Sequence, residues 1–349
     1  MQKIIFIVDD NDTNLMSVKE ALKNQYRVIT LSSAIKMFAH IERVRPDLIL
    51  LDIEMPEMDG FEALGLLKSN DSTADIPVIF LTGATDAAIE AHGFQMGAID
   101  FITKPFSGPV LLNRIKTHLN IDDLIRERTA RLLRLQNGIV FVLADMVENR
   151  DKGTGGHVER TAIYMEILIN AMIASGVYAD EIPKMDIETL ASSARLHDIG
   201  KISISDTILN KPGKLTPGEF EVMKTHVAEG VRIINQIISR TEDWDFLHNA
   251  MLFAGYHHER WDGGGYPNRA AGPDIPIQGR ILAIVDVYDA LVSARPYKTP
   301  HTHKEAVNVV RENAGKHFDP GIVEIFNEVE CKFADVSCLD SISWGKNGG

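Results

Sequence analysis

Short apolar runs alternate with helical patterns over residues 1–120. Four runs have the composition of buried strands that end at polar residues, namely IIFIVDD (4–10), DLILLDIEMP (47–56), PVIFLTG (77–83) and AIDFITKP (98–105). Between the runs, apolar residues recur at helical spacing, as at Ala34, Phe38 and Ile41. Strands and helices in alternation predict a doubly wound parallel sheet of the α/β class.

Polar residues follow the ends of the predicted strands. In a parallel sheet these ends share one crevice, which would collect Asp9, Asp10, Asp52, Thr82 and Lys104. Three carboxylates in one place repel each other and favour a hard divalent cation such as magnesium. The ammonium of Lys104 and the hydroxyl of Thr82 would contact an anionic group that is added in this crevice. Each residue alone is more simply a helix cap or a solvated loop residue, but together they predict a phosphoryl-accepting pocket.

A helical pattern without a convincing strand covers residues 107–150. Apolar residues recur at Leu124, Leu132 and Leu135, with many charges between them. A partly apolar helix between two domains is often a dimer seam, along which a change at Asp52 could pass to the C-terminal half. A solvated spacer helix explains the pattern equally well, and the sequence leaves both interpretations open.

The pattern of residues 137–333 is almost entirely helical and turns histidines inward. His197, for example, shares a helix face with Leu190 and Ala194. An inward carboxylate without a partner, as expected at Asp286, would be strongly unfavourable. The residues with such positions are His157, His197, Asp198, His226, His257, His258 and Asp286. Each alone is more simply a satisfied core residue, but seven together predict a metal centre.

The chemistry of this set indicates two metals. Five imidazoles and two carboxylates suit borderline divalent metals such as iron, manganese, nickel or zinc better than calcium or magnesium, and they are too many for one open site. A pair of metals can generate hydroxide at neutral pH and bind the oxygens of an in-line phosphoryl displacement. We expect Glu259, Asp262 and Asp289 to support the ligands or the loop rather than to bind metal.

The composition and charge of the chain exclude several classes of function. The chain has 349 residues, enough for two or three domains, and its 45% hydrophobic content is ordinary for a soluble protein. A formal net charge of −13 and the lack of a basic helix-turn-helix pattern after residue 120 argue against DNA binding. The N-terminus lacks a signal-peptide pattern and no apolar run suits a membrane span, so we expect a cytoplasmic protein. Cys331 and Cys338 are too few for a zinc cluster, and we expect them to be reduced.

Residues 1–120 resemble the receiver domain of bacterial response regulators. The resemblance implies a five-stranded, flavodoxin-like sheet and a cognate histidine kinase as partner. It implies that Asp52 accepts the phosphoryl group, that Asp9 and Asp10 hold magnesium, and that Thr82 and Lys104 act in the switch. Phe101 stands where many receivers carry a switch aromatic, so its ring can move inward but cannot donate a hydroxyl hydrogen bond.

Residues 137–333 resemble the HD-GYP branch of the HD phosphohydrolase superfamily. His197 and Asp198 form the HD pair within RLHDIGK (195–201), and HHERWDGGGYP (257–267) matches the extended signature of the branch. The resemblance implies a metal-dependent phosphodiesterase that hydrolyses cyclic di-GMP to pGpG and often on to GMP.

The same resemblance implies roles for individual residues. One metal would be bound by His157, His197, Asp198 and Asp286. The second would be bound by Asp198, His226, His257 and His258, so that Asp198 bridges the two metals. Lys201, Arg295 and Lys298 would bind substrate phosphates. Lys201 and Asp198 would also act in catalysis, with Lys201 stabilising the charge that builds on the phosphoryl oxygens during attack by a bridging hydroxide.

The expected organisation is a receiver domain at 1–120, a linker helix at 121–136, an HD-GYP domain at 137–333 and a C-terminal tail at 334–349. Gly153 stands where some relatives carry a carboxylate that helps to hold a third metal, so we predict two metals and leave open whether pGpG or GMP is the end product. Two alternatives to cyclic di-GMP hydrolysis remain. One is a catalytically weak nucleotide-sensing or protein-docking module, which the intact ligand set disfavours. The other is hydrolysis of another cyclic dinucleotide.

Overall fold

The computed structural model describes residues 2–83, 87–150, 156–241, 244–293 and 299–337. The chain divides into two compact units, Met1–Leu132 and Leu133–Gly349. In the described part of the chain, no helix has the length and apolar composition that a membrane span requires.

The first unit alternates strands and helices as the sequence predicts. Its elements are β1 (Ile4–Val8), α1 (Asp12–Leu22), β2 (Arg27–Leu31), α2 (Ala34–Ile41), β3 (Leu48–Asp52), α3 (Gly60–Lys68), β4 (Val78–Thr82), α4 (Ala87–Gln95), β5 (Asp100–Thr103) and the first part of α5 (Gly108–Glu148). All strand pairs are parallel, in the order β2-β1-β3-β4-β5. The predicted α/β fold is therefore confirmed. The weak pattern of β2, which begins at the exposed Arg27, explains why only four strands stand out in the sequence.

Both faces of this sheet are buried, as expected for parallel strands. Phe6 and Val8 of β1 pack with the side chains of α2 and α3 on one face, whereas Ile5 and Ile7 pack with those of α1 and α5 on the other. This arrangement leaves only the ends of the strands open to bind a ligand.

The second unit is helical, as predicted. After the end of α5 it contains α6 (His157–Ser175), α7 (Ile187–Ala194), a 3₁₀ turn (Ile199–Ser203), α8 (Asp206–Leu209), α9 (Pro217–Thr241), α10 (Trp244–Tyr256), a second 3₁₀ turn (Gly272–Asp274), α11 (Ile277–Val292), α12 (His303–Glu312) and α13 (Pro320–Ser337). The tail that we predict from residue 334 thus begins inside α13. The main core includes a stack of the Tyr164 and Phe333 rings, whose centroids are 4.6 Å apart.

Helix α5 contributes to the core of each unit. Leu111 and Ile115 are buried near its start, and Val140 and Val147 are buried near its end. The predicted linker at 121–136 lies within this helix, whose 41 residues end at Glu148.

Candidate active site

Two clusters of ionisable side chains stand out, one in each unit. The first lies at the carboxyl ends of β1 and β3, where Asp9 and Asp52 are buried. The Lys104 Nζ is 2.7 Å from an oxygen of Asp9 and 2.8 Å from an oxygen of Asp52. One carboxylate oxygen from each of Asp9, Asp10 and Asp52 lies within 4.8 Å of the others. Thr82 ends the neighbouring strand, and its carbonyl accepts a hydrogen bond from the Lys104 N–H.

The electrostatics of this first cluster suit a cation. Burial raises the pKa of Asp52, and the charge of Asp9 adds to that effect although Lys104 opposes it. Burial lowers the pKa of Lys104, but its two carboxylate partners outweigh burial and raise it. Three carboxylates facing one ammonium leave excess negative charge, which a divalent cation would neutralise.

The ring of Phe101 lies inward in this structure. It is 6% exposed and packs against Phe80 and Phe94, with ring centroids 5.3 and 5.0 Å apart. A Cβ at Gly93 would lie 2.5 Å from the Phe101 ring, so only glycine at this position leaves room for the inward ring. No pattern in the sequence singles out Gly93.

The second cluster brings together side chains from five separate segments. The ligand atoms of His157, His197 and Asp198 lie within 4.8 Å of one another, and so do those of His226, His257 and His258. Asp198 connects the two groups. One of its oxygens is 3.4 Å from the His197 Nε2, and the other is 3.4 Å from the His226 Nε2 and 3.8 Å from the His257 Nε2. Asp286 joins the first group, with an oxygen 3.5 Å from the His157 Nε2. All seven residues that the sequence singles out thus lie in one cluster.

Backbone carbonyls orient three of the imidazoles. The Nδ1 atoms of His197, His226 and His257 lie 2.9, 2.7 and 3.1 Å from the carbonyl oxygens of Ala194, Met223 and Phe253. A carbonyl can only accept a hydrogen bond, so each Nδ1 carries the proton and each Nε2 presents a lone pair to the cluster. This is the tautomer that a metal ligand requires.

A glycine lets the segment that carries the HD pair approach α9. A Cβ at Gly200 would lie 1.9 Å from the carbonyl oxygen of His226 and 2.5 Å from the Gly230 N. Any larger residue would therefore force the segment of Asp198 away from the helix that carries His226.

The fourth histidine is oriented by a carboxylate. The His157 Nδ1 is 2.7 Å from an oxygen of Asp289, and the guanidinium of Arg160 donates to both oxygens of the same carboxylate at 2.7 and 3.1 Å. Asp289 therefore lies where a supporting role requires it. Sequence reasoning missed Arg160, although its spacing of three residues from His157 on a helix places both on one face. The sequence pattern also predicts that Asp286 is buried, and this prediction is wrong. The Asp286 side chain is 24% exposed, and the buried carboxylate of α11 belongs to Asp289.

Glu259 and Asp262 serve the loop at residues 257–267. The buried Glu259 accepts a hydrogen bond from the Asn268 N–H, and Asp262 accepts from the Gly264 N–H. A Cβ at Gly265 would lie 2.5 Å from the Glu259 Cα, so a glycine there allows the loop to fold back on itself.

This return of the loop brings its tyrosine to a histidine of the cluster. The Tyr266 ring stacks on the His258 ring, with centroids 4.7 Å apart. The glycines and Tyr266 thus position His258.

Two buried atoms of the second cluster point to a missing partner. Among the described residues, the His197 Nε2 and one oxygen of Asp198 are buried without a hydrogen-bond partner. Such groups are costly unless they are satisfied. A divalent cation at His197 and a second one at the Asp198 oxygen that faces His226 and His257 would satisfy the two atoms, and the imidazole and carboxylate donors fit a borderline metal.

Protonation states agree with this interpretation. Burial lowers the pKa of His257 to about 3 and, with the neighbouring histidines, holds that of His258 well below its usual value. Burial would raise the pKa of Asp198, but Lys201 and His197 outweigh it and hold the pKa well below the usual value. Neutral imidazoles and an ionised carboxylate are the forms that bind metal. His197 is the exception, because Asp198 outweighs burial and raises its pKa, an effect that a cation beside Asp198 would oppose.

A cavity of about 210 Å³ opens onto the cluster. Lys201 lines it, with its Nζ 2.7 Å from an oxygen of Asp198. Arg195, which sequence reasoning did not single out, is a second cation in the lining. The other two predicted phosphate-binding residues, Arg295 and Lys298, lie outside the described residues, as does Gly153.

Comparison with known proteins is consistent with this geometry. Residues 141–322 match the HD domain family, and residues 5–116 match the response regulator receiver domain family. A probable cyclic di-GMP phosphodiesterase of Vibrio cholerae is 38% identical over 351 residues, which cover 96% of this chain and 80% of that protein. The cyclic di-GMP phosphodiesterase response regulator RpfG of Xanthomonas campestris is 34% identical over 92% of this chain and 86% of its own length. A 3'3'-cGAMP-specific phosphodiesterase of Vibrio cholerae is 42% identical, but over only 54% of this chain and 34% of that protein.

Proposed function

Because the chain belongs to the family of response regulators that join a receiver domain to an HD domain, we propose that it hydrolyses cyclic di-GMP under the control of Asp52 phosphorylation. The observation that carries this proposal is the second cluster, in which Asp198 lies between two groups of imidazoles and has a buried oxygen without a hydrogen-bond partner. If the histidines had only a structural role, this buried carboxylate oxygen would be expected to accept a hydrogen bond.

The proposed cofactor is a pair of divalent metals of the iron, manganese, nickel or zinc kind. His157, His197, Asp198 and Asp286 would hold one metal. Asp198, His226, His257 and His258 would hold the other. When bound, the pair would supply Lewis-acid chemistry for in-line displacement at a phosphodiester.

The chain's own groups would assist the reaction around that centre. Water forms the new bond to phosphorus and releases a proton, the bond from phosphorus to the 3′ oxygen breaks, and the 3′ oxygen takes up a proton in turn. The Lys201 ammonium, 2.7 Å from Asp198, can stabilise charge on the phosphoryl oxygens and is a candidate donor of that proton. Arg295 and Lys298 remain proposed ligands of the substrate phosphates.

In the receiver domain, we propose that Asp9, Asp10 and Asp52 hold magnesium while a histidine kinase phosphorylates Asp52. Lys104 and Thr82 would then contact the phosphoryl group. The close approach of Lys104 to Asp52 supports this assignment, because the same ammonium can pair with an oxygen of the new phosphate. Such a kinase partner is consistent with the cytoplasmic location that the sequence predicts.

The proposed assembly is a homodimer through α5. Among the large apolar side chains of this helix that are about half or more exposed, seven follow a spacing that alternates between three and four residues, with one interruption at Arg128. They are Ile121, Ile125, Leu132, Leu135, Ile139, Val142 and Met146. This heptad spacing is typical of a coiled-coil seam. Replacing Leu132, which is 65% exposed, with glutamate should convert a dimer to a monomer in sedimentation velocity. Glutamate at Arg131, outside the heptad positions, is the control.

A second candidate substrate is 3′3′-cGAMP, since a phosphodiesterase specific for it matches the C-terminal half. The test is to purify the full chain with its native metal, measure metal content and follow hydrolysis of both cyclic dinucleotides and of pGpG. We expect two metals per chain, turnover of cyclic di-GMP and loss of turnover in Asp198→Ala. Two bound metals without turnover of either dinucleotide would refute the proposed activity and favour the sensing module.

A further inference from the structure

The C-terminal end of α5 contacts the backbone of two segments that carry candidate ligands. Glu148, the last residue of α5, is 8% exposed. One oxygen of its carboxylate accepts the His157 N–H at 2.9 Å, and the other accepts the Val158 N–H at 3.0 Å. Since Gly156, the N-cap residue of α6, offers no side-chain cap, Glu148 satisfies two of the free N–H groups at the start of the helix.

Two residues further along, Arg150 binds the other segment. Its guanidinium donates to the carbonyl oxygens of Lys201, Ile202 and Ile204 at 3.3, 2.9 and 3.0 Å, and to the Asp206 carboxylate at 2.8 Å. The three carbonyls and the carboxylate accept from the two terminal nitrogens of the guanidinium, whose planar geometry holds these donors in fixed directions.

We propose that Glu148 and Arg150 are positioning residues that set the separation between His157 and the segment of Asp198 and Lys201. Neither side chain needs to contact a metal for this role. His157 is the first residue of α6, so the Glu148 carboxylate fixes the backbone of the ligand itself. Arg150 fixes the carbonyl of Lys201 and two carbonyls shortly after it. A displacement at the end of α5 therefore moves the two segments together, whereas loss of either contact releases one of them.

This inference deepens the proposed function, on which its regulatory part rests. Because α5 begins in the unit that contains Asp52 and ends at Glu148, the two residues would be the last step of the proposed control of the metal centre by phosphorylation. The positioning role itself does not depend on the identity of the substrate, since it concerns the binding of metal.

The test of Glu148 uses the full chain, depleted of metal and titrated with Co²⁺ alone. Loss of a group that orients a ligand typically weakens metal binding about 10- to 100-fold, and we expect that loss in Glu148→Ala for one of two Co²⁺ equivalents. Glu148→Gln keeps one acceptor oxygen and should lose less, about three- to tenfold. If Glu148→Ala does not fold, the Co²⁺ affinity of Glu148→Gln tests the proposal.

The matched control is Thr302→Ala, which removes a side-chain cap from the Glu305 N–H at the start of α12. It should lower the unfolding temperature and leave Co²⁺ affinity unchanged. Wild-type Co²⁺ affinity in both Glu148 variants would overturn the inference. So would an equal loss of affinity in the Thr302 variant, because the effect would then follow general stability.

Arg150→Lys separates the second contact from the first. A lysine keeps the charge but cannot reach three carbonyls, so we expect weaker Co²⁺ binding through the released Asp198 segment together with a lower kcat, through a displaced Lys201. If the wild-type protein turns over no cyclic dinucleotide, the proposed function fails, and the Co²⁺ titrations of the Glu148 variants still decide the positioning role. If turnover is present and Arg150→Lys has wild-type kcat, the role of Arg150 is wrong.

Discussion

Replacing Asp289 with asparagine tests how the cluster orients His157. The carboxylate is 1% exposed, accepts from the Ser293 hydroxyl at 3.2 Å and has two nearer partners, His157 and Arg160, at 2.7 Å. An amide has one acceptor oxygen, so it can serve one of these partners but not both, and its NH₂ group would face a donor. We expect metal affinity at the His157 position to fall about 10- to 100-fold, as for other groups that orient metal-binding histidines.

The same substitution should also destabilise the second unit. Arg160 is 4% exposed, and removing one partner of a buried ion pair typically costs about 3–5 kcal/mol, because the remaining charge has no counter-charge. The assay is a Co²⁺ titration of the metal-depleted chain, paired with denaturant unfolding of the same preparation. Affinity and stability are thus measured separately.

A second buried ion pair provides the control. Asp319 and Arg280 are 3% and 5% exposed and lie 3.1 Å apart, and Asp319 also accepts from Tyr178 rather than from a histidine of the cluster. Asp319→Asn should lower the free energy of unfolding, though by less because Arg280 keeps its ion pair with Glu181, and should leave Co²⁺ affinity intact. If Asp289→Asn loses stability but binds Co²⁺ as tightly as the wild type, the carboxylate does not orient His157 and the reasoning is wrong.

Three further predictions concern the receiver domain and pH. Asp52→Asn should abolish any change in turnover on adding acetyl phosphate while leaving the transition-metal content of the second cluster unchanged, and a response equal to wild type would show that phosphorylation acts elsewhere. Gly93→Ala should destabilise the receiver by about 1–3 kcal/mol, because its Cβ would lie 2.5 Å from the Phe101 ring. Gly65→Ala, whose Cβ would meet only a methionine methyl at 3.6 Å, should instead stabilise by up to about 1 kcal/mol in the same unfolding assay. Burial would raise the pKa of Asp289, but its partners outweigh burial and lower it, so its stabilising contribution is complete above an unfolded pKa of about 3.9 and is lost as pH falls below that value. Acid unfolding of Asp289→Asn should therefore be less steep than that of the wild type over this pH range.

Much of the molecule follows from local patterns. A parallel sheet buried on both faces requires nearly continuous apolar runs, and these runs identify β1, β3, β4 and β5. Helical periodicity places His226 and Asp286 on the faces of α9 and α11 that turn toward the cluster, which is a property of a few neighbouring residues. His197, Asp198, His257 and His258 lie instead in turns that follow α7 and α10. The sequence nevertheless predicted all seven residues of the second cluster, because histidine and aspartate are the residue types that bind such metals.

The contacts that hold the candidate ligands in place join residues that are far apart in the sequence. Arg160 and Asp289 are separated by 129 positions, and Arg150 reaches carbonyls more than 50 positions away. A backbone carbonyl is the same chemical group in every residue, so no sequence pattern reports that Arg150 will bind three of them. The sequence thus determined which side chains could bind metal. Only the tertiary structure decided which groups hold them in place, because those partners meet through packing of distant segments rather than through local periodicity.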